Sequence, residues 1–104
     1  MILTNTDFVT GKEIKQMLGL VRGNTIQAKS IGKDIKAGFR HMAGGEIKEY
    51  TEMLAESREI ALKRMEEKAQ HLGADAVINI RFMTSAIMGG AAEILVYGTA
   101  VTLK

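Results

Sequence analysis

Few side chains in this 104-residue sequence are of types that do chemistry, and their spacing decides between the roles open to them. Arg58 sits in a helical pattern on the apolar side, with Leu54 and Leu62 one turn away on either side and Ala61 and Met65 beside it. A guanidinium there has to find a partner, since an unpaired buried charge costs on the order of 3 to 5 kcal/mol. A carboxylate, either Glu93 or an acid of a neighbouring subunit, a backbone carbonyl, or a bound anion that Arg58 anchors would satisfy it. Arg40, His41, Gly44 and Gly45 come just before the long helical stretch. A helix start offers free N–H groups and the positive end of the dipole, and glycines let a phosphate or carboxylate approach the backbone. The same residues also read as a plain turn, with Glu46 capping the helix, because two glycines without a following Gly-Lys-Ser/Thr are no phosphate loop.

Other chemistries find little support. The two histidines, His41 and His71, stand at opposite ends of the helical stretch, so one chain cannot readily bring them together around zinc. A ring of subunits could gather copies of His41, which leaves an interfacial metal site as the alternative. His71, in the last turn, complements the helix dipole. There is no cysteine, hence no disulfide and no thiolate ligand. Ser57 has no histidine beside it and reads as a small packing residue; no nucleophile elbow, HExxH or core-side carboxylate pair is present. A non-enzymatic protein of unknown cofactor is expected.

The element that must position these groups runs from Glu46 to Leu72. Ile47, Tyr50, Leu54, Ala61, Met65, Ala69 and Leu72 fall on one helical face and a run of glutamates on the other. No Gly or Pro interrupts it, and Gly73 stands where a left-handed cap is wanted. Such a helix is about 40 Å long at 1.5 Å per residue.

Around it, Ile2 to Thr4 reads as a short edge strand and Glu13 to Ala28 as one long strand or a bent pair. In that strand Ile14, Leu18 and Leu20 point one way and Met17, Gly19, Val21 and Gly23 the other. Glycines at alternate strand positions mark a bulge or a close backbone approach. Lys29 to Met42 changes period: Ile31, Ile35, Phe39 and Met42 form an apolar stripe, with Lys29, Lys33, Lys36 and Arg40 on another face, which predicts a short basic helix. Without aromatics among its bases, that stripe is a poor nucleic-acid or acidic-lipid contact.

Beyond Gly73, Ala76 to Met88 alternates as a half-buried strand, with Ala76, Ile78, Ile80 and Phe82 on one side. Gly89-Gly90 predicts a two-residue hairpin turn. That turn would set Phe82 opposite Tyr97, Ile80 opposite Thr99 and Ile78 opposite Val101. The other face would then carry Ile94, Val96, Gly98 and Ala100, too little charge for a solvent face, and cover by a second chain is expected. The result is a single α+β domain over 1–104: a mainly antiparallel sheet packed against one long helix and a short basic one, in an obligate homo-oligomer.

Composition bounds the partners. The net charge is +2, but residues 1 to 45 carry seven Lys or Arg against three acids, whereas 46 to 72 carry seven acids against five bases. The two halves are complementary, as faces that meet within or between subunits would be, and a charge this small does not argue for nucleic acid. No apolar run approaches the roughly 20 residues needed to span a bilayer, and the start has no signal-peptide pattern, so a cytoplasmic protein is expected.

The run GGE with Tyr50 and Thr51, SREIAL around Arg58, LGADAV from Leu72 and YGTAV from Tyr97 resembles the YbjQ-like family, small proteins sometimes labelled heavy-metal-binding. The resemblance spans Leu18 to Leu103. It implies a dodecin-like two-layer subunit assembling as a ring, a pentamer, and supplies no biochemical activity.

Overall fold

The computed structural model describes residues 1–28 and 48–104. The elements are β1 (Ile2–Leu3), β2 (Ile14–Ala28), α1 (Lys48–His71), β3 (Ala76–Ala86) and β4 (Ala91–Leu103). They form one four-stranded sheet in the order β1-β3-β4-β2, with α1 packed on one face. The fold is α+β, as expected. The sheet is mixed, because β1 pairs parallel with β3 while the two longer pairings are antiparallel. The expected helix over Lys29 to Met42 lies outside the described residues.

The sequence of α1 accounts for both its length and its end. Ser57, Ala61, Met65 and Ala69, spaced by four, are its buried residues, a narrow stripe of mostly small side chains that lets the helix sit close to the sheet. It stops in a Schellman motif: Gly73 has φ +80°, its N–H donates to the Gln70 carbonyl at 2.9 Å, and Ala74 N–H donates to the Ala69 carbonyl at 3.1 Å. Leu72, assigned to the apolar face by spacing, is exposed, because it lies where the chain already leaves the helix.

The helix lies over β2 and β4 and scarcely touches β3. Gly23 is what allows this closeness. A Cβ at that position would collide with the Ala61 carbonyl oxygen and the Met65 amide nitrogen and stand 3.0 Å from Met65 Cα. The close approach signalled by the strand glycines is thus made at Gly23 by the chain's own helix. The main core gathers Val21, Met65, Val77, Ile80, Ile94 and Val96 between sheet and helix. A smaller cluster, Ala76, Ile78 and Val101, lies on the other sheet face and is covered by Val9 and Leu103.

Bulges redistribute the faces. In β2 the register with β4 shifts between Met17 and Gly19, where Gly19 has φ +123°. Leu18 therefore packs on the helix-side core while Leu20 points away from it, correcting the shared face expected for these two. In β3 the register shifts between Ile78 and Arg81, and Asn79 there has φ +54°, a conformation Asn tolerates better than most residues. One extra residue turns each side chain beyond it to the opposite face. Ile78 and Ile80, expected on one face, belong to different clusters.

Gly98 lies beside this bulge. A Cβ on it would stand 2.6 Å from Val77 Cγ1 and 2.9 Å from the Ile78 carbonyl oxygen.

The Gly89-Gly90 turn forms as expected, with φ +48° and +84° and Ala91 N–H donating to the Met88 carbonyl at 2.8 Å. The register beyond it differs from that expectation. Ile87 N–H donates to Ala91 O at 3.0 Å, an extra residue on the β3 side, so Phe82 pairs with Val96 and Arg81 with Tyr97. Ile94, Val96, Gly98 and Ala100 consequently face α1 and are buried by the chain itself. The inference of a second chain over these residues is corrected: the face turned away from α1 carries Glu93, Leu95, Tyr97 and Thr99.

Candidate functional site

The sheet face opposite α1 carries several exposed large side chains among the described residues. Cross-strand pairing aligns its side chains in rows: Arg22, Tyr97 and Arg81; Asn24, Leu95 and Met83; Ile26, Glu93 and Ser85. Leu20 is 64% exposed, Ile26 59% and Met83 52%. Asn24 Nδ2 donates to Glu93 Oε2 at 3.1 Å across the strands. At one end the face is closed by the N-terminal loop. Arg81 Nη1 donates to the Asn5 and Ile80 carbonyls, each at 2.9 Å, and Ile80 and Asn79 N–H donate to the Thr4 and Thr6 carbonyls. The result is an apolar and cationic surface, partly covered, whose centre is open among the described residues.

On the helix side, α1 leaves the hairpin end of β3 uncovered, and a cleft of about 340 Å³ opens between them. Its walls are almost wholly apolar: Tyr50, Met53 and Leu54 from α1, and Ala86, Met88 and Ala92 from the hairpin. Two further recesses, of about 260 and 430 Å³, lie along β2, an edge strand among the described residues. One, near the start of α1, brings Glu49, Glu52 and Glu56 beside Gln27. The other, at the end of α1, brings Lys68 and His71 beside Arg22. Between them Arg64 Nη1 donates to the Asn24 carbonyl at 2.8 Å, tying the helix to β2.

Of the residues singled out from sequence, Arg40, His41, Gly44 and Gly45 lie outside the described residues. Arg58 is exposed; it flanks the buried stripe instead of sitting within it. Its expected partner is out of reach, since Glu93 lies in a row with Ile26 and Ser85 on the sheet face turned away from α1. Among the described residues Arg58 has no ion pair and no hydrogen bond. Ser57 is fully buried, and its Oγ donates to the Met53 carbonyl at 2.7 Å, the packing role expected of it. His71 and Lys68 occupy the last turn. No group of three or more His, Cys, Asp or Glu side chains among the described residues is arranged to hold a metal.

Sequence reasoning missed the apolar cleft. Met53 was not assigned to the buried face, although Tyr50, Met53, Leu54 and Ser57 have the three-and-four spacing that would have placed it there. The contribution of Met88 depends on the hairpin end lying beside α1, which no local spacing encodes.

Fold and surfaces together define a small two-layer α+β protein with one helix-covered and one open sheet face among the described residues. The family model that matches residues 1–104 is described as "Putative heavy-metal-binding", and the chain belongs to this YbjQ-like family. It is 61% identical over 103 residues to a UPF0145 protein of Clostridium novyi (strain NT), covering 99% of each chain. It is 59% identical over 103 residues to a UPF0145 protein of Methanosarcina acetivorans, covering 99% of this chain and 97% of that one. A crystal structure of a protein with unknown function in the DUF74 family, from Pediococcus pentosaceus ATCC 25745, superposes with a TM-score of 0.69 at 16% identity, covering 100% of this chain and 98% of that one. At that identity the likeness bears on the fold alone. No helix among the described residues is long and apolar enough to cross a membrane.

Proposed function

We propose that the chain is a non-enzymatic, self-assembling binding protein in which copies meet through the open sheet face and the sheet edges, closing a ring that holds a small anion between subunits. The observation that carries this reading is the exposure of Leu20, Ile26 and Met83 around Leu95 and Tyr97 on a regular sheet surface. Exposed apolar side chains interspersed with Arg22, Asn24, Glu93 and Arg81 form a mixed surface of the kind that protein interfaces use. The radius of gyration supports it as well: 17.3 Å, against about 13 Å for a compact domain of this length. Fivefold closure is the number that the family resemblance implies.

Native mass spectrometry of untagged protein, purified without a metal column, tests the assembly. The expected species is a closed ring of five copies, and a monodisperse monomer at micromolar concentration would contradict the proposal. The anion reading rests on Arg58, whose guanidinium is exposed and without an ion pair among the described residues, together with Arg40, His41, Gly44 and Gly45. Inorganic phosphate titrated into wild type and Arg58→Ala should bind the wild type more tightly by tenfold or more. Equal binding removes Arg58 from the site.

The family description favours a second reading, a metal held by interfacial His41 and carboxylates. Calorimetric titration of divalent metals into wild type and His41→Ala checks it, and binding that survives the substitution unchanged excludes His41 as a ligand.

A further inference from the structure

We draw no further inference here: the strongest candidate, the apolar cleft of about 340 Å³ that Tyr50, Met53 and Leu54 of α1 form with the tip of the β3–β4 hairpin, carries nothing, because nothing in the structure shows what covers it.

Discussion

Two glycines govern how closely the layers approach. At Gly23 the obstacle to a larger side chain is helix backbone, which cannot rotate away. Gly23→Ala should therefore destabilise the fold by about 3 kcal/mol, the upper end of ordinary overpacking, read as a lower denaturant midpoint at unchanged slope. At Gly98 the obstacles are a valine methyl at 2.6 Å and a carbonyl oxygen at 2.9 Å. Part of that environment can yield, so Gly98→Ala should cost less, about 1 to 2 kcal/mol. Ser57→Leu should likewise destabilise, because the site is fully buried beneath the helix. Ser57→Ala should change stability by less than about 1 kcal/mol, since the Met53 carbonyl that the hydroxyl contacts also belongs to the helix ladder.

At the scale of elements, the bulge at Asn79 orients half of β3. Its φ of +54° strongly disfavours β-branched residues. Asn79→Val should cost about 1 to 3 kcal/mol, whereas Asn79→Gly should fold normally; thermal unfolding of the two variants compares them directly. The helix end gives a parallel case. Gly73→Ala places a Cβ at φ +80° and should destabilise by about 1 kcal/mol. Much of the element plan was legible in the sequence: the long helix, its glycine cap, the long β2 strand and the Gly-Gly turn all follow from spacing and turn chemistry. The side-chain faces of β2 and β3 were not legible, because one extra residue inverts a strand's alternation and leaves no mark in its composition.

For the whole molecule, the extents of 55 × 23 × 16 Å follow from β2 itself, whose 15 residues span about 50 Å at 3.3 Å each. A 24-residue helix, about 36 Å long, cannot cover such a sheet on both faces. Leu20→Asp combined with Met83→Asp places charge in the centre of the open face. In the proposed assembly this pair should shift the native mass distribution to monomers while circular dichroism retains its helical content. A ring that persists in the double variant would place the contact elsewhere.

By itself the sequence determined the long helix, the main strands, the α+β class and the family, because helical period, strand alternation and glycine caps are local properties that the chain carries wherever it folds. The low charge of Ile94, Val96, Gly98 and Ala100, read as a surface awaiting a second chain, belongs to the face that the chain's own helix covers. Only the tertiary structure decided which face is which. The bulges at Gly19, Asn79 and Ile87 set the long-range register, turning Ile94 and Val96 toward the helix and Glu93, Leu95 and Tyr97 away from it. The same register separates Arg58 from Glu93 on opposite sides of the sheet and brings Met53 and Met88 to one cleft, a juxtaposition of distant chain segments that no local spacing encodes.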